Sequence, residues 1–233
     1  MTIDYILASG VAKESATALA KRLGCRISFR PLSGRYIRYG SLQAAAGPCL
    51  NRLDAVRLAA NKLGALLTLH DAGLPVPRLQ TYEEHEPRPW PRMLRKLKRH
   101  AGNDSPRIVP PGELPNLDGF DYSLEFVAKT AEYRVHVCLG EVIRTQQRQP
   151  RGRGARHASV WSLQNGWALA DIEPAAGYLA WIAAKSVAVL GLDFGTVDIA
   201  QTKWGFFVLE VNTAPGILPH GVALYADAFR KWR

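Results

Sequence analysis

The order of hydrophobic and polar residues along the chain predicts both helices and strands. Apolar residues at helical spacing predict amphipathic helices at residues 11–23, 53–67, 174–190 and 224–232. Residues 133–139 instead alternate, with Tyr133 and Val135 on one face and Arg134 and His136 on the other, which predicts a strand. Shorter strands are expected at 26–29, 36–39, 92–97, 107–109, 122–127, 142–147, 196–201 and 206–211. Helices mixed with largely antiparallel strands predict an α+β (mixed α/β) protein.

The last two predicted strands carry two carboxylates among apolar residues. If residues 203–205 form a three-residue hairpin loop, counting outward places Asp198 opposite Glu210, and alternation puts Asn212 on the face of Glu210. Neighbouring carboxylates in an apolar setting repel unless a cation or proton joins them. Oxygen ligands without nearby Cys or His favour Mg²⁺. A solvated edge hairpin without a metal fits the same periodicity, so the pattern leaves both interpretations open.

Composition adds information mainly through charge. The 233 residues include 30 Lys+Arg and 20 Asp+Glu, a net charge of +10 at pH 7, which suits nucleotides, nucleic acids or acidic peptides without choosing among them. Three widely separated cysteines exclude a disulfide framework and make a cysteine zinc site improbable. No apolar run approaches the roughly 20 residues that span a bilayer, and the N-terminus lacks a signal-peptide pattern. We therefore expect a cytoplasmic protein with no membrane partner.

Several segments resemble one enzyme family in the right order. Val197-Asp198-Ile199 and Glu210-Val-Asn-Thr-Ala-Pro-Gly216 resemble the metal-binding end of ATP-grasp ligases, such as the α-L-glutamate ligases and D-alanine–D-alanine ligases. Upstream, Gly73-Leu-Pro-Val-Pro77 resembles the start of the family's small lobe, Leu124-Glu-Phe-Val127 its hinge, and Glu132-Tyr-Arg-Val-His-Val137 the strand that follows. The match covers roughly residues 51–216, which makes it more specific than any single motif.

The resemblance implies the ATP-grasp fold, in which two α+β lobes grip ATP. It implies a pre-ATP-grasp-like N-terminal region at residues 1–73, shorter than in many relatives, a small lobe at 74–127 and a large lobe with the metal site at 128–233. It further implies that Mg²⁺ is held by Asp198, Glu210 and Asn212.

The resemblance also implies an ATP site. Arg95 falls closest to the family's phosphate-binding lysine and Lys96 is one place off, so alternation lets only one of them face the cleft. Lys62 resembles a second phosphate-binding lysine, and Glu132 would accept hydroxyl groups of the ribose. The adenine would be lined by Glu125, Phe126 and Val127. A solvated basic strand, a surface lysine and plain salt bridges are the alternatives for these residues.

Two arginines carry the implied catalysis. Arg134 would face the transferred phosphate, and Arg148 lies where the family often has a basic residue, because a guanidinium suits the spread charge of the transition state. The implied reaction is amide-bond formation between a small carboxylate and an amine, or on an acidic peptide or macromolecule. ATP gives an acyl phosphate and ADP, and the amine then attacks the acyl carbon.

Two other classes of protein remain as alternatives. A basic nucleic-acid-binding protein could use the arginines of residues 88–107 and 144–156, but that interpretation leaves Asp198 and Glu210 unexplained. An ATP-grasp kinase, or an ATP-binding domain that performs no ligation, would share the same motifs.

Overall fold

The structure is a computed structural model that describes residues 2–81, 86–95, 107–114, 116, 118–152, 155 and 160–232. The helices in these residues are α1 (Lys13–Leu23), α2 (Leu53–Ala60), α3 (Lys62–Asp71), α4 (Gly177–Val189) and α5 (Gly221–Arg230). The first strands are β1 (Tyr5–Ala8), β2 (Arg26–Ser28), β3 (Tyr36–Tyr39) and β4 (Cys49–Leu50). They are followed by β5 (Leu79–Thr81), β6 (Arg92–Arg95), β7 (Arg107–Val109) and β8 (Tyr122–Glu125). The last are β9 (Ala131–Cys138), β10 (Glu141–Pro150), β11 (Trp167–Ile172), β12 (Phe194–Thr202) and β13 (Gly205–Asn212).

The first sheet is parallel, with strand order β2-β1-β3-β4. Its apolar side chains form a core with α1 and α5 that includes Ile6, Leu19 and Phe229. The sequence did not predict β1, because every residue of Tyr5–Ala8 is buried and the strand has no polar alternation. None of the described helices is both long and apolar enough to cross a bilayer.

The second sheet is antiparallel, with strand order β5-β8-β6-β7. The strands predicted at 92–97 and 107–109 are confirmed over the described part, and they pair with each other, since Arg92 lies opposite Val109. Alternation along β6 turns Met93 and Arg95 to one face of the sheet and Arg92 and Leu94 to the other.

The third sheet is antiparallel, with strand order β11-β10-β9-β12-β13. Its apolar face packs against α2, α3 and α4 in a core that includes Val135, Val197 and Ile182. Its other face carries the polar side chains that alternation predicts for β9, among them Arg134 and His136. The predicted mixture of helices with mainly antiparallel strands is therefore confirmed, although β11 was not predicted.

The hairpin β12–β13 corrects the predicted register in two places. Thr202 pairs with Gly205, so the loop has two residues, Lys203 and Trp204, and not three. A β-bulge then follows, because Ile199 pairs with Val208 while Asp198 pairs with Glu210, which leaves Leu209 as the extra residue. The two differences cancel, and Asp198 lies opposite Glu210 as predicted.

The predicted helix at 53–67 is two helices, because the helical conformation is interrupted at Asn61. The Asn61 side chain accepts a hydrogen bond of 3.0 Å from the Gly64 backbone N–H and caps α3, so Lys62 begins a new helix. Arg52 occupies the N-cap position of α2, so the preceding Asn51 does not cap this helix. The buried Asn51 amide instead bonds the backbone of Asp193 and Phe194, which ties the first sheet to the start of β12.

Candidate functional site

A cleft opens between the second and third sheets. It measures about 860 Å³ when its open mouth is included. The second sheet and the chain that follows it contribute Met93, Arg95, Leu124, Glu125, Phe126, Val127 and Lys129. The third sheet contributes Glu132, Arg148, Asp198, Ala200, Leu209 and Glu210, and the wall is completed by Pro77, Trp161 and Ser162.

Asp198 and Glu210 lie side by side on the floor of the cleft, each held by a cation of the protein. The Arg134 guanidinium donates two hydrogen bonds of 2.7 Å to the Asp198 carboxylate. The Lys62 Nζ lies 2.5 Å from Glu210 Oε2, and an Arg95 nitrogen lies 3.8 Å from the same oxygen. The interruption before α3 makes Lys62 the first residue of that helix, which packs against β13, and this brings Lys62 to Glu210.

The two carboxyl groups differ in acidity. Burial raises the pKa of Asp198, and Arg134 opposes this shift. Burial acts in the same direction on Glu210, but Lys62 outweighs it and lowers the pKa of Glu210 well below the usual range. Burial also opposes the charge on Arg134, yet the facing Asp198 carboxylate raises the pKa of that guanidinium. These shifts favour the charged forms of Glu210 and Arg134, whereas burial acts against the charge on Asp198.

The floor of the cleft fits a hard divalent cation. Asn212 Nδ2 donates a 3.0 Å hydrogen bond to Glu210 Oε1, so the amide belongs to the same cluster as the carboxylates. Two carboxylates and an amide oxygen are ligands that Mg²⁺ accepts. The described residues contain no group of three or more His, Cys, Asp or Glu side chains placed to bind a metal. The chemistry of the donor set thus fits Mg²⁺ only when Asn212 or a ligand oxygen is included.

Glu132 lies farther along the cleft between two other cations. Lys129 donates a hydrogen bond to one oxygen of its carboxylate and Arg148 donates to the other. Arg148 is thus paired with Glu132, whereas Arg134 is paired with Asp198. The sequence analysis did not identify Lys129, although a lysine three residues before a buried glutamate on an extended segment was the available signal.

One wall of the cleft is apolar and partly aromatic. Trp161 stacks on Trp167, with ring centroids 3.9 Å apart and an angle of 8° between the planes. Lys129 Nζ lies 4.8 Å from the centre of the Trp161 ring. The bulge turns Leu209 into the same cleft. A flat hydrophobic wall with charged groups at one end suits a heteroaromatic ring attached to an anionic chain.

The structure brings most of the predicted site residues together. Eight of them line the cleft: Arg95, Glu125, Phe126, Val127, Glu132, Arg148, Asp198 and Glu210. Lys62, Arg134 and Asn212 lie behind the lining carboxylates and bond to them directly. Lys96 is outside the described residues. Sequence reasoning missed Met93, Lys129, Trp161 and Leu209.

His136 continues the polar face beyond Arg134. Its Nε2 donates to Gln146 Oε1 at 3.0 Å, and its Nδ1 accepts from the Tyr225 hydroxyl at 3.2 Å, an arrangement that suits a neutral ring. Burial lowers the pKa of His136 to about 4. With both ring nitrogens bonded inside the protein, His136 supports the floor of the cleft.

Comparison with known proteins identifies the fold. No protein-family model matches the sequence, and no curated protein matches it. Among solved structures, D-alanine–D-alanine ligase from Bacillus anthracis complexed with ATP superposes with a TM-score of 0.69 at 14% identity, over 99% of this chain and 96% of that chain. The chain has the ATP-grasp fold.

Three further solved structures agree. The ATP-grasp ligase PsnB complexed with minimal precursor gives a TM-score of 0.67 at 16% identity, over 97% of this chain and 98% of that chain. With PsnB complexed with a phosphomimetic precursor variant, Mg and ADP, the match covers 78% of this chain and 61% of that chain. The macrocyclase MdnC bound with precursor peptide MdnA from Microcystis aeruginosa MRC gives 0.66 at 14% identity over the whole of both chains.

These comparisons confirm the predicted ATP-grasp architecture. The roles of individual residues stay predictions, as does the division of the chain at residues 73 and 127.

Proposed function

We propose that this protein is an ATP-dependent carboxylate–amine ligase that forms amide bonds through an acyl phosphate. The observation that carries the proposal is the pair Asp198 and Glu210, which face each other across β12 and β13 on the floor of an ATP-grasp cleft. Two buried carboxylates would weaken a nucleic-acid-binding surface, because they repel phosphates. A site for Mg²⁺ and nucleotide requires them.

The two ends of the proposed nucleotide would bind to different groups of residues in the cleft. Trp161, Leu209, Phe126 and Val127 would enclose the adenine, and Glu132 with its two cations would lie toward the ribose. Asp198, Glu210 and Asn212 would hold Mg²⁺, which neutralises phosphate charge when it is bound.

Cations of the chain would position the reacting groups. Lys62 and Arg95 both reach Oε2 of Glu210, a residue that lines the cleft, so both can contact a phosphate bound there. Arg134, held by two hydrogen bonds, would present a fixed guanidinium to the charge that spreads over the transferred phosphoryl group. ATP would phosphorylate the substrate carboxylate, and the amine would then replace phosphate at the acyl carbon. The chain contributes positioning and electrostatics and needs no nucleophilic Ser or Cys.

The substrate class is part of the proposal. The structures of PsnB and MdnC contain precursor peptides, and the net charge of +10 on this chain suits an acidic partner. We therefore propose a peptide as the source of the carboxylate, with a cytoplasmic site of action.

The proposal is tested by ADP release with acidic peptides and amines as substrates. Asp198→Asn and Glu210→Gln should each lower turnover by about a hundredfold or more, because each removes a charged ligand. Asp54→Asn, which removes an exposed carboxylate of α2, is the matched control and should leave turnover unchanged. Undiminished turnover in both cleft variants would refute the metal assignment.

Mass spectrometry of the products separates a ligase from a kinase. A ligase joins the two substrates with loss of one water, whereas a kinase leaves a phosphorylated product. A stable phosphorylated product with no joined product would refute ligation.

A further inference from the structure

A second cleft lies on the outer face of the second sheet, on the opposite side from the nucleotide cleft. Alternation along β6 makes this division, because Arg95 faces the nucleotide cleft and Arg92 faces outward. The outer cleft measures about 510 Å³ with its open mouth. Its lining includes Arg78, Gln80, Arg88, Trp90, Arg92 and Ser123, and it shares Leu124 and Glu125 with the nucleotide cleft.

Arg92 is a buried cation without a carboxylate partner in the described structure. Only 1% of the residue is exposed. One of its terminal nitrogens donates to Gln80 Oε1 at 3.0 Å and to the Glu86 carbonyl at 3.1 Å, and the other donates to the Glu113 carbonyl. Its Nε has no hydrogen-bond partner, and burial together with Arg88 lowers the pKa of Arg92. A buried charge matched only by neutral acceptors is stabilised when an anion comes near.

Two more arginines flank the same cleft. The guanidinium carbon of Arg78 lies 4.5 Å from the centre of the Trp90 ring, and that of Arg88 lies 5.8 Å from it. Their carboxylate partners are at long distances, with Glu125 3.5 Å from Arg78 and Glu86 3.6 Å from Arg88. Each pair has one largely exposed member, Arg78 at 64% and Glu86 at 74%, so screening by water weakens both pairs and both guanidinium groups can exchange partners at low cost.

We propose that the outer cleft binds the carboxylate groups of an acidic peptide segment. Guanidinium forks match carboxylates in a bidentate geometry, and three arginines line this cleft, whereas Glu125 is the one carboxylate among the described residues that line it. A nucleic acid fits less well, because Arg78 already stacks on Trp90 and leaves less of the ring for a base. The neighbouring β5 is an edge strand of its sheet, so an extended peptide can also bond its backbone. The site does not depend on the ligase reaction.

Fluorescence anisotropy with fluorescein-labelled hexaglutamate tests this site. Arg88→Gln and Arg78→Gln should each weaken binding by about tenfold, the cost of one charge-assisted hydrogen bond. Arg52→Gln is the matched control, because it removes the same charge from an arginine that is 76% exposed on the side chain and lies beyond this cleft. Labelled hexaglutamine should bind to none of the proteins.

The outcomes are distinguishable. An equal loss in Arg52→Gln and Arg88→Gln, or no binding by the wild-type protein, would overturn the proposal. So would displacement of the labelled peptide by oligothymidylate at lower concentrations than by unlabelled hexaglutamate, since that result indicates a nucleic-acid site. Thermal unfolding checks that each variant is folded. Arg88→Lys keeps the charge but loses the bidentate guanidinium, so its affinity for labelled hexaglutamate should lie between those of wild type and Arg88→Gln.

Discussion

Lys62→Met removes the closest cation from a buried carboxylate and gives a measurable loss of stability. Lys62 and Glu210 are 18% and 17% exposed, and their charged atoms lie 2.5 Å apart. At an effective dielectric constant of about 20 the two charges attract by about 7 kcal/mol, most of which offsets their desolvation. Breaking a buried pair costs about 3–5 kcal/mol. Because Arg95 and the Asn212 amide stay near Glu210, we expect a loss of about 2–3 kcal/mol in the free energy of unfolding.

Urea denaturation without Mg²⁺ or nucleotide, at pH 7, measures this loss. The double variant Lys62→Met/Glu210→Gln should be more stable than the sum of the single changes predicts, by about 1–2 kcal/mol, because it leaves no unpaired charge. Lys21→Met, on the exposed face of α1, is the matched control and should change stability by less than about 0.5 kcal/mol.

The pH dependence gives an independent check. The folded protein holds the pKa of Glu210 below that of the unfolded chain, so its contribution to stability is present above about pH 4.3 and is lost as the pH falls further. Lys62→Met should lose less stability than wild type on acidification below that value. A variant as stable as wild type at pH 7, or one with the same acid profile, would refute the ion-pair reasoning.

Three further predictions follow from other parts of the structure. Burial lowers the pKa of His136 to about 4, so the wild type should lose about 2 kcal/mol of stability between pH 7.5 and 5 as the unfolded chain takes up the proton, and urea titrations of His136→Gln should show a smaller loss. Trp161→Ala should weaken ADP binding by about tenfold in calorimetry, because the stacking wall is removed; unchanged affinity would exclude a contact with the base. Gly40→Ala should lower the melting temperature, because Gly40 has a φ of 71° and an added Cβ would lie 2.6 Å from the Cβ of Ala214; an unchanged melting curve would contradict the close approach.

The register of the final hairpin shows how far the sequence predicts this site. Alternation places Glu210 and Asn212 on one face of β13, and that part depends only on local backbone geometry. The bulge at Leu209 is a property of how two strands pair, and nothing in the hydrophobic pattern marks it. The predicted opposition of Asp198 and Glu210 was correct only because a loop error of one residue offset the unseen bulge.

The neighbourhood of Glu210 could not be predicted from local pattern. The apolar spacing runs through residues 53–67 without interruption, so it predicts one helix and hides the cap at Asn61. The short connection after α2 decides where Lys62 lies, and that position follows from the packing of α3 on β13. The resemblance to known ligases indicates Lys62 as a cation near phosphate. Its hydrogen bond to Glu210 depends on the tertiary packing and has no signal in the local sequence.

The buried carboxylates of the cleft between the second and third sheets are each paired with cations of the chain: Arg134 with Asp198, Lys62 with Glu210, and Arg148 and Lys129 with Glu132. A free dication arriving alone would displace Lys62 and Arg134 and leave them unmatched, and a free polyphosphate would strand the two carboxylates in the same way. When both arrive together, the dication pairs with the carboxylates and the polyphosphate pairs with Lys62 and Arg134. Every charge then keeps a partner of opposite sign. The affinity for the dication should therefore rise when the polyphosphate is bound, and the reverse should also hold. The ion pairs of the cleft set this reciprocal cooperativity.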